Sequence, residues 1–392
     1  MSFVPARRLV AGLLASLSLA VPAAAQAPQI VLAKANATFP VEFSSITGLL
    51  ELPDGRVLMT DGIDQTLLRI NLTTRKADTL GRVGQGPGEY KLPDAVFALA
   101  GGRVLLTDLG NGRLSIFDGT GKYLESIPIA RGTPEGGMTM VLPRATDAQG
   151  RIYFEARPMG MEDGPPDSAF VVRFDPKAST FDTLAKVGLP AVKVSTSGSA
   201  NNRNVSMRVV PLSAADAWGV SSDGRVAIAR SANYRLEWVG AGGKTVSGPA
   251  NPAKPVPVRD ADKKEWMADG ANGLGIAVSN ENGQMSVRFS RGGMRTAGQR
   301  PDMDSYEWPA AKPAFVTSGV WTSPEGDAWV ERSVAAGAGR TFDVFGADGK
   351  AKRQVVLPVG RRLAGLGKAG VIYLRHVTED DLQILERYKL QA

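Results

Sequence analysis

Residues Gly55 to Asn71 and Gly102 to Asp118 align without a gap at an offset of 47 residues, and seven of the 17 pairs are identical. Chance would supply about one such identity. The matched phrase is a glycine turn, an apolar β-branched run ending Thr-Asp (Thr60-Asp61, Thr107-Asp108), then a second apolar run. A repeat of this length is the period of a propeller blade, commonly ~40–50 residues.

The phrase recurs in looser form at Gly150 to Phe154, Gly224 to Ile228, Gly326 to Val330 and Gly370 to Leu374. Glycine fits that position because tight hairpin turns require positive φ. The sequence therefore predicts an all-β fold, a six-bladed β-propeller of four-stranded antiparallel blades. A single blade cannot bury both faces; stacking blades around an axis and closing the circle does, and leaves only short edges exposed. Two β-sandwich domains would leave the gapless repeat unexplained. The last repeat shows only three strand-like runs, so the apolar run Gln29 to Ala33 is expected to supply its outer strand and lock the ring.

Residues 1–25 read as a secretory signal peptide: Arg7 and Arg8, an apolar stretch from Leu9 to Val21, then Ala23-Ala24-Ala25 as a cleavage site. Residues 26–392 then form one propeller domain, acting in the periplasm or secreted from a bacterial cell. The apolar stretch is shorter than the ~20 residues that span a bilayer, and no other segment reaches that length. With zero cysteines, stability rests on packing without disulfides. The formal charge is +7 before processing, a mild excess over a large surface. No basic block suggests nucleic acid; pairs such as Arg361-Arg362 stand isolated.

Residues 253–314, between blades four and five, break the pattern. Asp260 is expected to cap a short helix over Ala261 to Asp269. Leu274 to Val278 and Met285 to Phe289 read as a strand pair around an Asn282-Gly283 turn. Such an insertion can form a lid or wall over one face of the ring, or only decorate a blade edge. Trp266, Trp308 and Trp321 are candidates for a contact surface, whereas Trp238 and Trp329 fall within strands and belong to the core.

The segment Leu105 to Asp118, LLTDLGNGRLSIFD, resembles an NHL-type repeat, and Gly84-Gln85-Gly86-Pro87-Gly88-Glu89-Tyr90 is similar to the glycine-rich blade junction of bacterial six-bladed propellers of the NHL/TolB-like kind. The resemblance implies architecture and export more strongly than activity. Gly84 to Gly88 lacks the phosphate-loop form and no helix follows it, so it reads as a connector with Glu89 bonding back to loop amides.

Asp61 and Asp64 recur as Asp108 and Asn111, 47 residues on. Such residues at strand ends either bond their own turn amides and brace neighbouring blades or converge on an axial cation, for which calcium is the candidate cofactor. Asp61, Asp108 and Asn111 are accordingly candidate ligand residues. The lone histidine, His376, has no G-x-S-x-G partner and reads as structural. Glu155 and Glu331 lie at similar depth in blades three and five and could pair for acid–base work only if the fold brings them together. The leading reading is a binding or scaffold module, a monomer presenting loops to a protein, glycan or small molecule. The rival is a metal-assisted, calcium-type hydrolase or lyase of the lactonase-like propeller kind. No catalytic set decides for the rival.

Overall fold

A computed structural model describes residues 27–132, 138–157, 165–199, 202–271, 274–281, 284–291 and 302–390. The expected signal peptide and the Asn282-Gly283 turn lie outside the described residues. Six antiparallel sheets follow one another along the chain. Blade one runs inner to outer through Ile46–Glu51, Val57–Asp61, Thr66–Asn71 and Lys76–Thr79. Blade two repeats this at Pro93–Ala98, Val104–Asp108, Arg113–Phe117 and Tyr123–Pro128. The inner strands of the other four are Ala145–Thr146, Ala217–Val220, Phe315–Thr322 and Arg361–Leu366. The glycine that opens each second strand has φ between +72° and +87°, the left-handed turn its sequence position anticipates.

The second strands are the most deeply buried, every residue of Val57–Asp61 and Val104–Asp108 being shielded from solvent. Among the described residues six apolar clusters form, and each lies between two neighbouring blades. Leu58 and Leu67 of blade one meet Leu106 and Phe117 of blade two. Phe39, Tyr373 and Leu385 of blade six meet Met59 and Ile70 of blade one, so the circle is closed. Burial is thus a property of blade pairs, as expected for sheets that cannot bury both faces alone.

The closing strand differs from the expected one. Ala37–Phe43, not Gln29 to Ala33, pairs antiparallel with Gln383–Lys389 as the outer strand of blade six, with Ala37 opposite Arg387 and Phe43 opposite Gln383. Gln29–Val31 instead adds in parallel to the outer strand of blade five, Ile30 opposite Val355. Ile30 therefore belongs beside blade five and not beside Ile384. The physical reason lies in the anchors. Phe39 and Phe43 are buried and stack on one another at 5.8 Å, whereas Val31 is exposed. Pro40 makes the true strand look broken, yet an edge strand tolerates proline, and the register slips there between Thr38 and Glu42.

The insertion carries an α-helix, Asp260–Ala271, termed α1. Its cap is Arg259, one residue before the expected Asp260. The Asp262 carboxylate accepts the Arg259 N–H at 2.9 Å while the Asp262 N–H bonds the Arg259 carbonyl, a reciprocal capping arrangement. Leu274–Glu281 and Gln284–Arg291 form the expected hairpin. Two more hairpins, Ala130–Gly132 with Met138–Met140 and Val192–Ser199 with Asn202–Val209, lengthen the connections after blades two and three.

Candidate ligand channel

The six inner strands surround an axial cavity of about 1230 Å³. Along blade six it runs from Arg361 and Arg362, where the inner strand begins, to Lys368 just beyond its end. Helix α1 contributes Glu265, Trp266 and Asp269 to the same wall.

Helix α1 is riveted to the ring by charge. Near its start, Asp262, only 2 % exposed, pairs with Lys312 at 2.7 Å and accepts the Ala336 N–H at 2.8 Å. Near its end, Asp269 meets Arg362 of blade six at 2.5 Å and Arg340 of blade five at 3.3 Å. Glu265 also reaches Arg340, at 2.8 Å. Burial would lower the Arg340 pKa, but Glu331 at 2.7 Å and Glu265 outweigh it and hold the guanidinium above its ordinary value. The helix is therefore a fixed wall bridging two blades.

Behind α1, Trp266 packs edge-on against Tyr306 at 5.4 Å and Trp308 at 5.6 Å. Trp308 donates its indole N–H to the Met303 carbonyl at 2.9 Å. Arg208, from the Val192–Val209 hairpin, lies over the Tyr306 ring at 5.1 Å and bonds Ser305. The two insertions thus buttress one another. Of the expected contact tryptophans, Trp266 and Trp321 line the cavity and Trp308 supports Trp266. Trp218, which sequence reasoning had not singled out, lines it too, with Arg144 over its ring at 4.9 Å.

The acidic candidates stand elsewhere. The Asp61 carboxylate accepts four backbone N–H groups, from Ser44, Ser45, Ile63 and Asp64, at 2.8 to 3.1 Å. Asp108, fully buried, accepts from Lys91 N–H, Asn111 and Arg113. Asn111 also donates to the Gly84 carbonyl. None of these three lines the axial cavity. Their oxygens face N–H donors, and Arg113 sits 2.9 Å from Asp108, a poor setting for a cation. Among the described residues no group of three or more His, Asp or Glu side chains converges as calcium would require. Glu155 pairs with Arg144 and Arg157, and Glu331 with Arg340, so each carboxylate has its own cationic partner. Glu89 bonds back to the Gly86 N–H at 2.8 Å and to Arg82, as expected for a connector. His376 lies within a strand of blade six, opposite Arg361.

The chain is a six-bladed β-propeller with an axial cavity walled by an inserted helix. No family model matches it, and no curated protein matches it in sequence. Among solved structures it is similar to a gluconolactonase from Xanthomonas campestris, at 12 % identity and a TM-score of 0.42, over 92 % of this chain and 98 % of that one. It is also similar to virginiamycin B lyase from Staphylococcus aureus, at 12 % identity and a TM-score of 0.39, over 91 % and 99 %. A calcium-binding regucalcin from Agrobacterium tumefaciens gives 12 % and 0.35, over 93 % and 97 %.

Proposed function

We propose that the mature chain is an exported small-molecule-binding protein whose site is the axial channel beside α1. The observation that carries this reading is the cavity itself, about 1230 Å³, with Trp266 and the exposed Trp321 on its wall. Ligand sites are usually ~300–1,000 Å³, largely pre-formed, and apolar with a few placed polar groups. Aromatic rings supply area, the arginines along the wall supply orientation, and the ion-paired helix keeps the wall from collapsing. Export to the periplasm or the medium is part of this proposal, and the charge and apolar run of the amino-terminal 25 residues support it.

A thermal-shift screen of residues 26–392 against neutral, anionic and cationic metabolites tests the proposal. Ligands that stabilise the wild type are expected to lose their effect in Trp321→Ala. A shift that survives intact in Trp321→Ala and in Trp266→Ala places binding outside the channel and defeats the reading.

A further inference from the structure

The channel arginines are matched with carboxylates, with one exception. Arg144 pairs with Glu155 at 3.1 Å, Arg340 with Glu331 at 2.7 Å, Arg361 with Glu386 at 3.1 Å and Arg362 with Asp269 at 2.5 Å. Arg375 lines the same cavity and makes no ion pair among the described residues. Its Nη1 donates to the Ile46 carbonyl at 3.1 Å, and its buried Nε has no acceptor. Arg375 is half-buried, its Nε is sealed without an acceptor, and its remaining Nη donors stay free to meet a ligand in the channel.

The surroundings do not supply the missing anion. Burial and the neighbouring Arg362 and Arg340 disfavour the charged form of Arg375, and Asp269 and Glu331 only partly offset them. Those two carboxylates are already engaged, by Arg362 and Arg340 respectively. Trp321, 37 % exposed, lines the same cavity and can take the apolar body of a ligand.

Resting on the channel as the binding site, we infer that its ligand is an organic carboxylate whose charged group docks on Arg375. Charge-assisted, two-pronged pairing is the strongest contact a guanidinium offers, and a carboxylate matches its spacing. Trp321, exposed in the same cavity, favours an organic anion over a bare inorganic one.

Thermal-shift titrations of the mature chain with matched probes test this: galacturonate against galactose, benzoate against benzyl alcohol, and sodium sulfate at equal ionic strength. At least one carboxylate is expected to raise the Tm saturably while its neutral counterpart does not. Arg375→Gln should weaken that carboxylate by at least about tenfold. Arg375→Lys, which keeps the charge but loses the fork, should weaken it by less. A lower starting Tm in either variant reports the lost Ile46 bond and is read separately from affinity. If Arg375→Gln does not fold, wild-type affinity in Arg375→Lys overturns the inference. So do equal shifts from the neutral counterparts, shifts reproduced by sulfate alone, or no shift with either carboxylate. If neutral ligands from the wider screen still lose their effect in Trp321→Ala, the binding channel stands and only its anionic ligand falls.

Discussion

Gln383 of blade six accepts the backbone N–H of Ile46, the first residue of blade one, through its Oε1 at 2.9 Å. Arg375 holds the carbonyl of the same residue, so blade six grips Ile46 by both backbone groups. Gln383 is buried, and an unmet N–H in its place costs about 1–3 kcal/mol. Gln383→Leu should therefore lower unfolding free energy by about that much. Urea denaturation measures it; an unchanged midpoint would show that the seam does not depend on this bond.

The amino-terminal strands should contribute unequally. Ala37–Phe43 supplies the fourth strand of blade six and buries two phenylalanines, whereas Gln29–Val31 adds three residues to a blade that already has four strands. A chain beginning at Leu32, which keeps that buried side chain between blades five and six, should fold with a modest loss of stability. Phe39→Ala should cost about 3–5 kcal/mol, the usual range for emptying a buried aromatic site. Equal losses from the two changes, followed by thermal unfolding, would contradict the assignment of the closing strand.

Asp61 and Asp108 act as braces in this structure. Breaking a buried, paired carboxylate typically costs about 3–5 kcal/mol, and Asp108→Ala should fall in that range. The decisive readout is calcium. Wild type and both alanine variants should keep their melting temperatures whether calcium or a chelator is present. Calcium-dependent stabilisation of the wild type that vanishes in Asp108→Ala would restore the cation reading.

Asp216 gives the acid limb of stability a specific source. Burial would raise its carboxyl pKa, but the Ser231 and Gly188 N–H groups and Arg230 outweigh burial and hold it below the usual carboxylate range. A carboxyl depressed on folding stabilises the native state above its unfolded pKa, about 3.9, and that stability is lost as pH falls through the folded value. Calorimetry should show the wild type losing stability below pH about 4. Asp216→Asn should be less stable at neutral pH and flatter across the acid range. A parallel decline in both proteins would assign the acid limb to other groups.

The blades were readable because each combines a local turn signal with an apolar run, and both act within one hairpin. The closing strand was not, because an apolar run such as Gln29 to Ala33 outscores Ala37–Phe43 on hydropathy, while Phe39 and Phe43 are chosen by their fit between blades six and one. The channel was hidden for a related reason. Arg340 belongs to blade five, Arg362 and Arg375 to blade six, and Asp269 to α1. They meet only after the ring has closed, so no spacing in the chain announces them; Arg361-Arg362 looked like an isolated basic pair. Trp266 and Trp321 could be picked out because both fall outside the apolar runs that follow each repeated glycine; Trp218, also on an inner strand, carried no further signal.

A crystal structure of the mature chain soaked with whichever of galacturonate or benzoate raises the Tm tests the central claim most directly. The account predicts that carboxylate within the axial cavity, its charged group within hydrogen-bonding distance of Arg375. The ligand bound on the outer surface, with a channel holding only water, would contradict it.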